Sequence, residues 1–211
     1  MQRIHIYAFL LLTFVMNVAM AQQPSKKILV LGDSLSAGYG IDIQQGWVKL
    51  MQKELAQTHE VNIINASVSG ETSSGGKARL PALLDEHKPD IVILELGGND
   101  GLRGQPLRLL ESNLQTMIDA SKNAGAKVIL AGMQIPPNYG PRYSSEFKAL
   151  YEKLAQKNQS GLIPFLLEGI GGKAELMQRD GIHPTAEAQK IIMENALPEI
   201  KKYLADTGSS E

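Results

Sequence analysis

Apolar positions along the chain keep two different rhythms. Ile28–Leu31, Ile91–Leu96 and Val128–Leu130 are short, nearly unbroken apolar runs, the pattern of strands buried on both faces. Between them, apolar residues recur at spacings of three and four: Trp47, Leu50, Met51 and Leu55; Leu107, Leu110, Leu114, Met117 and Ile118; Phe147, Leu150, Tyr151 and Leu154. That spacing lays one apolar stripe along a helix. Val61–Asn65 reads as a second strand, and Lys77–Glu86 as a helix ending before Lys88-Pro89. Leu162–Phe165 is a weaker fifth strand, whose Pro164 suits a sheet edge. A last helix is expected over Ala186–Leu204, capped by Thr185 and disturbed at Pro198. Ser67–Gly76 reads as a polar loop, and Met133–Gly140 as an apolar loop that Pro136 and Pro137 keep irregular.

Strand and helix signals alternate, which predicts an α/β three-layer sandwich around a five-stranded parallel sheet. The flavodoxin-like order 2-1-3-4-5 suits it. In that order the loops after strands one, two and three converge on one crevice at the carboxyl edge. Those loops carry Ser34, Gly70 and Asn99.

Composition narrows the chemistry. The chain has 211 residues and a formal charge of −1, which predicts one domain and no electrostatic footprint for nucleic acid. The absence of cysteine excludes a disulfide framework and a thiolate zinc site. No metal or other cofactor is expected, and the domain is expected to be a monomer. Arg3, the apolar run from Ile6 and the small residues Ala19-Met20-Ala21 have the form of a cleaved secretory leader. The 14 residues from Ile6 to Ala19 give about 21 Å of helix, short of the roughly 30 Å bilayer core. The reading is therefore a leader over 1–21 and a single domain over 22–211, periplasmic or secreted, without a stable membrane anchor after cleavage.

Ser34 follows the first buried strand, where a serine serves equally as a helix cap or as a nucleophile. A nucleophilic serine needs a base. His59 and His87 precede strands two and three and so fall at the amino edge of the sheet. His183 follows the last strand and can return to the carboxyl edge. Asp180, three residues earlier in Asp180-Gly181-Ile182-His183-Pro184, can reach the imidazole Nδ1 and leave Nε2 for Ser34, although a solvated surface turn has the same spacing. Ser34 N–H, Gly70 N–H and the Asn99 side chain are candidate oxyanion donors, while an asparagine after Gly97-Gly98 is also an ordinary turn residue. Asp33 suits local ordering of the nucleophile loop, and Ser36 a turn hydroxyl. Glu95, inside the third strand, needs a partner that the sequence does not identify.

Gly32-Asp33-Ser34-Leu35, Gly70, Gly97-Gly98-Asn99-Asp100 and Asp180-Gly181-Ile182-His183-Pro184 resemble, in order, the four blocks of the SGNH (GDSL) hydrolase superfamily. With Ala78–Leu84, Glu95–Arg103 and Pro136–Gly140 they are similar to its periplasmic bacterial acyl-CoA thioesterase, lysophospholipase and arylesterase group. The resemblance implies Ser34 as nucleophile, His183 as base and Asp180 as its partner. It implies Ser34 N–H, Gly70 N–H and Asn99 as the oxyanion hole, and small acyl esters and thioesters as substrates. It also implies that the loop after strand four lines the acyl groove, with Ile135, Pro136 and Tyr139 as substrate-binding residues, though an apolar loop is also ordinary packing. Glu168–Gln178 matches no feature of the family. The competing class is a non-catalytic periplasmic binding module using the same crevice. Gly70–Ala78 fails as a phosphate loop by its spacing and by Ala78, and Gly169–Ala174 lacks the βαβ unit of a dinucleotide site.

Overall fold

The computed structural model describes residues 25–205; the leader read over residues 1–21 and the frayed tail over 206–211 lie outside them. In chain order the elements are β1 (Lys26–Gly32), α1 (Ser34–Ala37), α2 (Trp47–Leu55), β2 (Val61–Asn65), α3 (Ser73–His87), β3 (Ile91–Glu95), α4 (Gly98–Leu102), α5 (Leu107–Asn123), β4 (Lys127–Ala131), α6 (Pro141–Asn158), β5 (Gly161–Ile163) and α7 (Gln189–Ala205). The strands form one parallel sheet in the order β2-β1-β3-β4-β5, as the alternation predicts. No helix among the described residues is long and apolar enough to cross a membrane.

The unbroken apolar runs are explained by the two faces of the sheet. Successive side chains of a strand point to opposite sides. Leu29, Leu31, Val92, Leu94, Val128 and Leu130 enter one core with the apolar stripes of α3, α5 and α6. Ile28, Val30, Ile91, Ile93, Ile129 and Ala131 enter the other, with α2 and α7. Each fully buried aliphatic side chain is worth roughly 1.5–3 kcal/mol relative to exposure, so the central strands hold the carboxyl-edge loops on a stiff base.

Several boundaries differ from the sequence reading, each for a local reason. Helix α3 begins at Ser73 inside the supposed polar loop, because the Thr72 side chain accepts the Gly75 N–H and caps it. Helix α7 begins at Gln189, after a turn over 186–188, so Thr185 lies too far upstream to cap it. Pro198 sits within α7 without ending it. Pro164 falls just beyond the edge strand β5, and the proline loop makes one 3₁₀ turn over Pro137–Tyr139.

Candidate active site

Strand β1 ends at Gly32, and the chain turns at once into the single-turn helix α1. Asp33 is its cap: the carboxylate accepts the Leu35 N–H at 3.0 Å. Gly38 closes the turn in the left-handed region at φ 76°, where a side chain would be strained. Ser34 is thereby held at the carboxyl edge of the sheet, nearly buried. Its Oγ lies 2.9 Å from His183 Nε2, and His183 Nδ1 lies 2.6 Å from Asp180 Oδ2.

Asp180 is fixed by its own turn. Its Oδ1 accepts the N–H groups of Ile182 at 2.9 Å and His183 at 3.0 Å, with Gly181 at φ 69° making the bend. The hydrogen bond from the imidazole, reinforced by the His183 and Ile182 N–H groups, lowers the Asp180 carboxyl to about 2. Asp180 is therefore an acceptor at neutral pH. Nδ1 must then carry the proton, which leaves Nε2 to accept from the Ser34 hydroxyl.

The three oxyanion candidates meet around Asn99. Its Nδ2 donates to Glu71 O at 2.9 Å and to Asp33 Oδ2 at 3.0 Å, so the amide sits between the neighbours of Gly70 and of Ser34. Gly70 adopts φ 80°, and its carbonyl is turned toward Arg103, which donates to it at 3.2 Å. The Ser34 and Gly70 N–H groups donate to no acceptor among the described residues. Both hydrogens of the Asn99 amide are engaged at rest, so an oxyanion bound there would have to compete with Asp33 or with the Glu71 carbonyl for one of them.

Glu95 finds its partners across the sheet. Register places it opposite Gly32, and its Oε2 accepts the Asp33 N–H at 3.1 Å and the Ser36 hydroxyl at 2.6 Å. Ser36 is thus a buried anchor of α1 rather than a turn hydroxyl. Gly32 is required by this contact, since a Cβ there would stand 2.4 Å from Glu95 Oε2. Burial, and then repulsion from Asp33, push the Glu95 carboxyl well above its ordinary 4.5. Burial also pushes Asp33 up to about 6, against the opposing pull of the Leu35 N–H, His183 and Asn99.

A second buried group went unread in the sequence. Asp100 accepts the Ser73 N–H at 2.8 Å and the Ser73 hydroxyl at 2.6 Å, tying the start of α3 to α4. Asn113 donates to Ser73 Oγ at 2.9 Å, and Lys77 to Asn113 Oδ1 at 2.6 Å. This chain of bonds sets the Gly70 loop against the Asn99 helix. An aspartate beside the candidate oxyanion asparagine, with a serine at a helix start, was the available signal.

The proline loop lies beside α4. Ile135 is buried against Gly101 and Phe147, Tyr139 donates its hydroxyl to Leu102 O at 2.8 Å, and Pro136 is exposed. Two large apolar residues that sequence reasoning did not assign to the site, Tyr39 and Ile182, are exposed next to His183, and Val68, whose N–H donates to Gly32 O at 3.0 Å, is a third exposed one on the loop after β2. The Tyr39 ring lies 4.4 Å from the His183 ring, tilted by 38°. Among the described residues no His, Asp and Glu side chains gather in threes as metal ligands.

Residues 30–191 match the model of the GDSL-like lipase/acylhydrolase family. The chain is 50% identical over 184 residues to esterase TesA of Pseudomonas aeruginosa, covering 87% of this chain and 92% of that protein. It is 44% identical over 165 residues to thioesterase 1/protease 1/lysophospholipase L1 of Escherichia coli, covering 78% of each. The crystal structure of the psychrotrophic esterase EstA from Pseudoalteromonas, inhibited by monoethylphosphonate, superposes with a TM-score of 0.82 at 43% identity, covering 86% of this chain and all of that one.

Proposed function

The chain belongs to the GDSL-like lipase/acylhydrolase family and is an ester and thioester hydrolase, and from that premise we propose that Ser34, His183 and Asp180 carry the reaction. His183 Nε2 takes the Ser34 proton as Oγ attacks the acyl carbonyl. Asp180 holds the imidazole in the Nδ1–H tautomer and stabilises the imidazolium that forms. The negative charge developing on the carbonyl oxygen is received by the N–H groups of Ser34 and Gly70. Asn99 joins them by drawing one hydrogen away from Asp33. The imidazolium then protonates the departing alcohol or thiol. Water attacks the acyl-serine by the same steps in reverse, and the fatty acid leaves.

The observation that carries this assignment is the continuous line from Asp180 Oδ2 through the imidazole to Ser34 Oγ, with links of 2.6 and 2.9 Å. The exposed Tyr39, Val68 and Ile182 support acyl or aryl groups as the apolar part of the substrate, and Ile135, Pro136 and Tyr139 are proposed as the opposite wall. All three triad residues come from one chain, which suits a monomeric catalyst. The composition of residues 1–21 supports export, with the mature chain starting at Gln22, a start that intact-mass measurement reads directly.

The test is hydrolysis of p-nitrophenyl acyl esters and acyl thioesters by the wild type and by Ser34→Ala. Turnover should vanish in the variant, and a phosphonate ester should add one adduct, at Ser34, to the wild type alone. Wild-type turnover by Ser34→Ala would refute the assignment.

A further inference from the structure

The base and its carboxylate are neighbours in sequence, and the turn between them fixes their geometry. The Ser34–His183 contact has no such local guarantee, because its partners lie 149 residues apart. Something must hold the two loops in register, and Gln178 occupies the place to do it.

Residues 176–185 form a small hairpin closed by an antiparallel bridge between Met177 and Pro184. Gln178 N–H donates to the His183 carbonyl at 2.7 Å, and its own carbonyl accepts the Gly181 N–H at 2.9 Å. Its main chain therefore closes the turn that presents Asp180 and His183. The side chain joins the hairpin to the nucleophile loop: Nε2 donates to Pro184 O within the hairpin at 2.9 Å and to Tyr39 O across the gap at 2.8 Å. Both neighbours are carbonyl oxygens, so only the nitrogen end of the amide can face them. Tyr39 is tied in turn to the nucleophile, its N–H donating to the Ser34 carbonyl at 3.1 Å. Its ring rests against the imidazole at 4.4 Å.

A closed circuit results, running from Ser34 through the Tyr39 peptide and the Gln178 amide to the hairpin, and back through His183 to Ser34 Oγ. Gly40 leaves room for it, since a Cβ there would stand 2.3 Å from Gln178 Oε1. Among the described residues, one other hydrogen bond links these two segments besides the Ser34–His183 contact. It runs from Trp47 N–H to Gln189 Oε1 at 3.0 Å, at the far ends of both loops.

We propose that Gln178 is a positioning residue: its carboxamide clasps the nucleophile loop to the base loop and so sets the separation between Ser34 Oγ and His183 Nε2. This rests on the reading of Ser34 and His183 as the reacting pair. The clasp needs two N–H donors aimed at two carbonyls. A glutamate of the same shape offers only acceptors there, whereas a lysine ammonium supplies donors again.

The experiment compares Gln178→Ala, Gln178→Glu and Gln178→Lys with wild type and Ser34→Ala, using p-nitrophenyl butyrate hydrolysis and the rate of phosphonylation of Ser34. A misplacement approaching 1 Å costs up to about 10²-fold in rate. The Ala and Glu variants are therefore expected to lose about tenfold or more in kcat with KM nearly unchanged, phosphonylation slowing in parallel, and Lys to recover most of the loss. If the Ala variant does not fold, the Glu–Lys contrast decides. Wild-type kcat in Gln178→Glu, a loss confined to KM, or a Lys variant no better than Glu would overturn the clasp. Wild-type turnover by Ser34→Ala would instead remove the reading beneath it.

Discussion

Replacing Glu95 probes the floor of the nucleophile loop. Its Oε2 accepts two buried donors, the Asp33 N–H and the Ser36 hydroxyl, while Oε1 has no partner among the described side-chain and backbone groups. In Glu95→Gln the amide oxygen can keep both bonds, and the amide nitrogen replaces one unpartnered atom with another, so stability should change by about 1 kcal/mol or less. Glu95→Ala leaves both donors buried and unpaired. At about 1–3 kcal/mol for each orphaned group, the expected loss is about 2–6 kcal/mol, before any cavity cost. Urea unfolding at about pH 4, where folded and unfolded chains alike hold the Glu95 proton, measures both variants without a titration difference, with equal slopes required for the comparison.

The pH dependence supplies a second reading of the same substitution. The folded state holds the Glu95 proton more tightly than the unfolded chain does, so its contribution is complete below 4.5 and is lost as pH rises toward the raised value. Asp33 has the same sign: its contribution is complete below 3.8 and is lost as pH rises through about 6, a swing of the order of 3 kcal/mol. The Gln variant lacks the Glu95 titration and keeps that of Asp33. Wild type should therefore lose stability relative to Glu95→Gln as pH rises above about 4.5. A glutamine as damaging as alanine, or a gain with rising pH, would refute a protonated Glu95.

Asn99→Ala should lower kcat by about 10²-fold, the lower end of the ~10²–10³ span for an oxyanion donor, because one hydrogen is drawn from Asp33; steady-state kinetics with an unchanged rate would exclude the role. Gly97→Ala forces a Cβ at φ 122° to within 2.1 Å of Tyr151 Oη, which donates to Leu96 O at 2.9 Å. Backbone strain and overpacking together predict a loss of about 2–6 kcal/mol in chemical denaturation. Adding Tyr151→Phe should recover part of it, and a double variant no more stable than the single one would place the cost elsewhere.

The features legible in the sequence were those encoded locally. The strands β1, β3 and β4 declared themselves because both faces of the sheet are apolar, and Asp180 with His183 because a three-residue turn joins them. Position relative to the sheet edges singled out His183 over His59 and His87. What escaped depends on chain segments meeting across the fold. Glu95 reaches Asp33 and Ser36 from 62 and 59 residues away, and Gln178 reaches Tyr39 from 139. Neither spacing leaves a periodic trace. The start of α3 escaped for the opposite reason: Ser73, Ser74, Gly75 and Gly76 have poor helix propensity, and the Thr72 cap with the Asp100 anchor overrides it.

On the proposed assignment of Ser34 as nucleophile and His183 as base, their distance in sequence also sets when the enzyme switches on. Domains fold largely as units, N-terminal parts emerging first, and contacts so distant in sequence close late. A growing chain presents the Ser34 loop long before the hairpin bearing His183 exists. Every incomplete or nicked chain lacking that hairpin carries a serine without a base. On that assignment the hydrolase is inert throughout its own biosynthesis, protected by the order of its segments rather than by an inhibitor.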